Sequence, residues 1–157
     1  MLKYINTKLA PPPGFYSQGI LIDPEKYYLL FLAGQTGNIP ETDEVEKGLY
    51  AQTLRALNNI LGVIIEAGRN AAIIEINVFL KDPPVPDDQK SEARKLTRTT
   101  FGQAYERFFT NYGISKEKNN LPVRTLVWVS EVPIEFPTED TLVELQARVA
   151  IPKYSVE

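Results

Sequence analysis

The chain has 157 residues, of which 43% are hydrophobic and 24% charged, and it carries a net charge of -3. That length and balance fit one globular domain with a core large enough to need no staples. It has no cysteine and no histidine, which excludes disulfides, thiol nucleophiles, imidazole triads and thiolate or histidine metal sites, while the acidic balance disfavours a nucleic-acid surface.

The first residues, Met1 to Leu9, mix Lys3, Asn6 and Lys8 with apolar positions, so they do not read as a signal peptide. No apolar run is long enough to span a bilayer, and the expectation is a cytoplasmic protein without a membrane partner. A short strand is expected over Leu2 to Asn6. The run Ala10-Pro11-Pro12-Pro13-Gly14 must end it, because prolines lack the amide donor and fix φ. Gly19 to Ile22 and Tyr27 to Ala33 read as strands. Asp23-Pro24-Glu25-Lys26 between them is a turn signal and suggests a hairpin. Asp43 to Ala67 reads as a helix whose apolar stripe is Tyr50, Leu54, Leu57, Leu61 and Ile64, with Asp43 as N-cap, Glu46 three residues on, and Gly68 as the stop.

Ile73 to Leu80 follows as a strand with Ile74, Ile76, Val78 and Leu80 on one face and Glu75 and Asn77 on the other. A proline loop at Asp82 to Pro86 precedes a second helix, about Asp88 to Tyr112, with Ala93, Leu96, Phe101, Ala104, Tyr105, Phe108 and Tyr112 as its stripe. Lys90, Arg94, Lys95 and Arg98 read as a solvated face of this helix. Two more strands, Val123 to Val132 and Val143 to Ile151, flank an irregular turn at Pro133 to Pro137. Two long helices and about six strands imply an α+β architecture with the helices on one face of a mixed sheet. The other face then needs cover, since Leu126 and Trp128, expected there beside Arg124, are too apolar for water; self-association would supply it.

Seven segments in order resemble the Rid family (YjgF-type, RidA-like enamine/imine deaminases). They are Phe15-Tyr16-Ser17-Gln18, Phe31 to Thr36, Ala51-Gln52-Thr53 through Ala67-Gly68, Asn77 to Asp82, Tyr105 to Phe109, Pro122-Val123-Arg124-Thr125, and Val143 to Ala147. The resemblance covers nearly the whole chain and implies a chorismate-mutase-like sandwich, one domain over residues 1–157. It also implies a homotrimer with a small carboxylate-bearing molecule in a cleft at each subunit interface, and no metal or organic cofactor. Pro83 to Lys95 and Ile114 to Leu121 are longer than the family pattern, and either could reshape the cleft rim.

Arg124 opens an otherwise apolar strand and offers a rigid fork suited to a carboxylate. From the residues alone, a salt bridge to Glu144 or another acid serves equally well; the resemblance implies a grip on the substrate carboxylate. Tyr16 and the Gly34 backbone match segments that line the cleft, and Leu126 stands two positions after the arginine, where the family commonly has a small polar residue or Cys. Gln146 stands where deaminating members usually have a Glu that positions the attacking water. An amide orients water but cannot take its proton; alternatively Gln146 is one member of a polar sheet face with Glu144 and Arg148. Ala33, Leu126 and Gly102 also depart from the pattern, all toward a less polar cleft, which makes this a divergent member.

The resemblance thus implies hydrolysis of a carboxylate-bearing enamine or imine to a keto acid and ammonia, with Arg124 and Gln146 as the catalytic pair. The alternative is a divergent Rid protein that binds a small carboxylate without hydrolysis, or acts on a larger apolar imine. RNA cleavage, also attached to this family, is disfavoured by the missing histidines and the acidic charge.

Overall fold

The computed structural model describes residues 1–68, 70–132 and 140–154. Along these residues the elements are β1 (Lys3–Ile5), β2 (Gly19–Leu21), β3 (Tyr27–Phe31), β4 (Gln35–Thr36), α1 (Leu49–Ala67), β5 (Ala72–Lys81), α2 (Asp87–Asn111), β6 (Val123–Val129) and β7 (Val143–Pro152). The irregular turn expected at residues 133–137 lies outside the described residues.

Five strands form one mixed sheet in the order β3-β7-β5-β6, with β4 also paired to β7. The central strand β5 runs antiparallel to β7 and parallel to β6. A parallel neighbour requires a crossover, and α2 is that connection. The alternation expected in β5 holds from Ile76 onward: Ile76, Val78 and Leu80 are sealed in the core, opposite Ala147, Leu145 and Val143 of β7, but a bulge between Ile73 and Glu75 puts Ile73 in the core in place of the expected Ile74. Both helices pack on this side. Leu57, Ile60 and Ile64 of α1 and Phe101, Tyr105 and Phe109 of α2 complete the core.

Of the apolar stripe expected in α2, Leu96 and Tyr112 are instead exposed, at 69% and 54%. Three further expectations change. The turn at Asp23 does not make a hairpin: β2 pairs with β1, and β3 pairs with β7 instead. The first helix starts six residues later than expected. Residues 43 to 48 are drawn into a loop by the Asn38–Val45 bridge and by the Glu46 amide donating to the Gly37 carbonyl at 2.9 Å. Gly48, at φ 81°, then turns the chain into the helix, a conformation that favours glycine. The third change is the face of β6. Register pairs Arg124 with Ile76, Leu126 with Val78 and Trp128 with Leu80, so all three point to the helix side, not to the uncovered one. The uncovered face carries Asn77, Thr125 and Gln146, flanked by Phe31, which is 65% exposed, and Leu29, 46% exposed.

Two amides of α1, the buried Gln52 and the half-buried Asn59, fasten the layers. Gln52 is sealed. It donates to the carbonyls of Glu46 at 3.0 Å and Asp140 at 2.9 Å and accepts from the Leu142 amide at 2.8 Å. Asn59 donates to the carbonyls of Thr36 and Asn38. Replacing Gln52 by Leu would strand the Leu142 amide and two carbonyls, so Gln52→Leu is expected to cost about 2–4 kcal/mol. A urea titration of both proteins checks this through the midpoint at unchanged slope.

Candidate functional site

The site forms where the segment after the prolines meets the start of β6. Ser17 donates its amide to the Pro122 carbonyl at 3.1 Å and bridges Val123 in parallel. Next to it, Gln18 organises the donor-poor proline stretch: its amide nitrogen donates to the Pro11 carbonyl at 2.7 Å and to the Thr7 carbonyl at 3.2 Å, and its oxygen accepts from the Thr7 amide. The Tyr-Ser-Gln segment is thereby pinned at both ends, with Tyr16 turned toward β6.

Arg124 is half-buried among three rings. Its guanidinium carbon lies 5.1 Å from the Tyr105 ring centre, 5.4 Å from Tyr16 and 5.8 Å from Phe101, all within cation–π range. Among the described residues it makes no ion pair. The expected alternative, a bridge to Glu144, does not form, because Glu144 pairs with Phe79 on the opposite sheet face. Burial pushes the Tyr105 phenol well above its ordinary pKa, opposed only in part by Arg124. The ring is therefore a neutral wall of the arginine's cage.

A cavity of about 420 Å³ opens beside this cage, walled by Arg124 and Leu126 of β6, by Phe15, and by Lys95, Arg98 and Gly102 of α2. Its size suits a small ligand. A Cβ added to Gly102 would meet nothing within 4 Å, so this glycine widens the cleft without being forced by packing. A neighbouring polar cleft holds Asp82, Lys90, Arg94 and Trp128. There the basic row of α2 is more than a solvated face. Arg94 grips Asp82 with two bonds of 2.7 and 2.8 Å and lies over Trp128, and Lys90 joins at 3.4 Å. Those bonds, from Arg94 first, hold the Asp82 carboxyl below its usual range.

Tyr16, Arg124 and Leu126 are thus brought together. Gly34 and Gln146 are not brought to them. Asn77 pairs with Gln146 while its neighbour Ile76 pairs with Arg124, and consecutive strand residues face opposite ways. Gln146 is therefore exposed on the uncovered face. Gly34 lies beside it, in the short irregular stretch between the pairs Phe31–Arg148 and Gln35–Leu145. A side chain there would collide with Glu144, whose carboxylate oxygen sits 1.8 Å from the position of a Cβ.

Residues 7–151 match the family described as Endoribonuclease L-PSP. The chain belongs to this family, the Rid family. A RutC family protein of Pyrococcus abyssi is 32% identical over 91% of this chain and 92% of its own. The 2-iminobutanoate/2-iminopropanoate deaminase of Escherichia coli K12 is 28% identical over 94% of this chain and 96% of its own. Two solved structures share the fold: a Rid family protein of Yersinia pestis at a TM-score of 0.63, with 17% identity over 96% of this chain and 98% of that one, and Escherichia coli TdcF with bound serine at 0.60, with 24% identity over 95% and 98%. The two helices on a mixed sheet are this family's α+β sandwich. Among the described residues no helix is long and apolar enough to cross a membrane, and no group of three metal-ligating side chains assembles.

Phe101 and Tyr105 were legible as core but not as a cage, and Lys95 and Arg98 were not legible as cleft walls. The available signal was helical spacing: positions 98, 101 and 105 share a face, so the aromatic stripe continues into a cation. The Tyr105 hydroxyl is sealed without a hydrogen-bond partner among the described residues. Tyr105→Phe is accordingly expected to leave stability within about 1 kcal/mol of wild type or to raise it, whereas Tyr105→Ala should cost about 3–5 kcal/mol by opening a cavity. Thermal melts of the two variants separate these outcomes.

Proposed function

We propose that the chain hydrolyses a reactive imine or enamine bearing a carboxylate to the keto acid and ammonia, as its deaminase relative is named for. The observation that carries this is Arg124: half-buried, caged by rings, without an acidic partner among the described residues, and open to a cavity of ligand size. An arginine in that state offers paired donors to a carboxylate with little reorganisation. Holding the carboxylate there fixes the adjacent imine carbon. Water adds to that carbon, the C–N bond breaks, and ammonia leaves with the protons. The reaction needs no redox step and no cofactor.

The chain acts as one domain in this reading, and the cleft is finished by a second copy. Gly34 and Gln146 face away from Arg124 within one chain, on a surface that also exposes Phe31 and Leu29. Apolar exposure of that kind marks an association surface. A closed ring of three copies would cover it and bring one copy's Gln146 toward another's Arg124. Light scattering should then return three times the mass of the 17.7 kDa chain; a stable monomer at micromolar concentration would remove the composite site.

Imine hydrolysis is favoured over the RNA cleavage in the family's description because the sequence has no imidazole to act on a ribose hydroxyl and carries a net charge of -3. Gln146 sets the expected rate. General-base assistance is worth roughly 10²–10⁴, so hydrolysis by the wild type should be slow, and Gln146→Glu, nearly isosteric, should accelerate it. Keto-acid formation from an imine generated in the cuvette measures both. Arg124→Ala should weaken keto-acid binding by about tenfold or more in calorimetry. Unchanged affinity would return Arg124 to a structural role.

A further inference from the structure

The cleft beside Arg124 holds more positive charge than one carboxylate requires. Three cations, Lys95, Arg98 and Arg124, line it against one carboxylate, Glu106. The excess stands out against a chain whose overall charge is -3. It is also not neutralised locally. Of the basic residues along the first half of α2, Lys90 and Arg94 are tied to Asp82, but Lys95 and Arg98 make no ion pair among the described residues.

Their placement is directional. Arg98 lies three residues before Phe101 and seven before Tyr105, two of the rings that cage Arg124. The rise of a helix puts it about 4.5 Å along the axis from Phe101 on the same face. Lys95 is one further turn away and also lines the cavity. Gly102 lines the same cavity and adds no side chain to narrow it. An elongated ligand with one end on Arg124 therefore meets Arg98 and Lys95 with its other end.

We propose that the substrate of this cleft is a dianion, an imino dicarboxylate whose second carboxylate is held by Arg98 and Lys95. This rests on the assignment of Arg124 to the first carboxylate and adds what selects among such substrates. Arg98 and Lys95 bind here and take no part in bond making. A monocarboxylate leaves both of them unanswered, whereas the dicarboxylate gains charge-assisted bonds at the far end.

The test uses the intact protein and two stable keto acids of equal chain length, 2-oxoglutarate and 2-oxopentanoate, which differ in the second carboxylate. Calorimetry at fixed ionic strength should show 2-oxoglutarate binding about tenfold or more tightly. In Lys95→Gln/Arg98→Gln that ratio should collapse to within about twofold, while Lys90→Gln, on the same helix but outside the cavity, should preserve it. Both replaced residues are exposed, so the folded state survives the change, which a melt verifies. Equal affinities in the wild type, a ratio that survives the double variant, or a ratio that also collapses in Lys90→Gln would each overturn the proposal while leaving Arg124 as a carboxylate site. Failure of both acids to bind would remove the assignment of Arg124 and this proposal together.

Discussion

The parallel pairing of β5 with β6 is the constraint on which the site depends. It forces a crossover, and α2 is the only long helix between those strands. It also fixes register, placing Arg124 level with Ile76 and so on the side where α2 packs. Had the register slipped by one residue, Arg124 would face the open side and Thr125 the core. The aromatic cage, the cavity and the separation of Arg124 from Gln146 all follow from that single alignment.

A half-buried guanidinium is costly unless something replaces its water. Here the replacement is three ring faces rather than a carboxylate. The difference matters for chemistry. A carboxylate partner would occupy the very donors a ligand must use, whereas rings attract the cation through their faces and leave the edge of the fork free. The Ser17 bridge to Val123 and the Gln18 bonds to the proline stretch then have a clear purpose, because they hold the Tyr16 wall in place.

Much of this was legible in the sequence. Period-two alternation marked β5 and β7, period 3.6 marked both helices, and the ordered Rid segments pointed to the sandwich. What failed was pairing and facing. Asp23-Pro24 signals a turn but says nothing of which strand comes next to which, and β3 found a longer partner in β7. The apolar run of β6 gave no alternation to tell its faces apart, so Arg124, Leu126 and Trp128 were set on the wrong side. Capping residues misled at α1, where Asp43 and Glu46 fit a local rule but the bonds of the Gly37 loop took the segment first. The aromatic cage was hidden because core packing and cation–π contact use the same residues at the same spacing.

The departures from the family pattern, Ala33, Gly102, Leu126 and Gln146, read differently once the cleft is seen in three dimensions. Singly, each removes a polar or acidic group and reads as a loss. Gly102 and Leu126 line the same cavity as Lys95 and Arg98, where the cations outnumber the one carboxylate, Glu106. In the composite cleft proposed for this chain, an amide at position 146 in place of a carboxylate would remove one negative charge. Charges in a partly water-excluded site interact more strongly than in bulk water, so removing an anion strengthens the field that Arg98, Lys95 and Arg124 project onto a ligand. The same change weakens proton abstraction from water. Under that reading, stronger binding of an anion and slower attack by water would be two consequences of one substitution, and together they would pull such a cleft toward holding highly charged keto or imino acids at the expense of turnover.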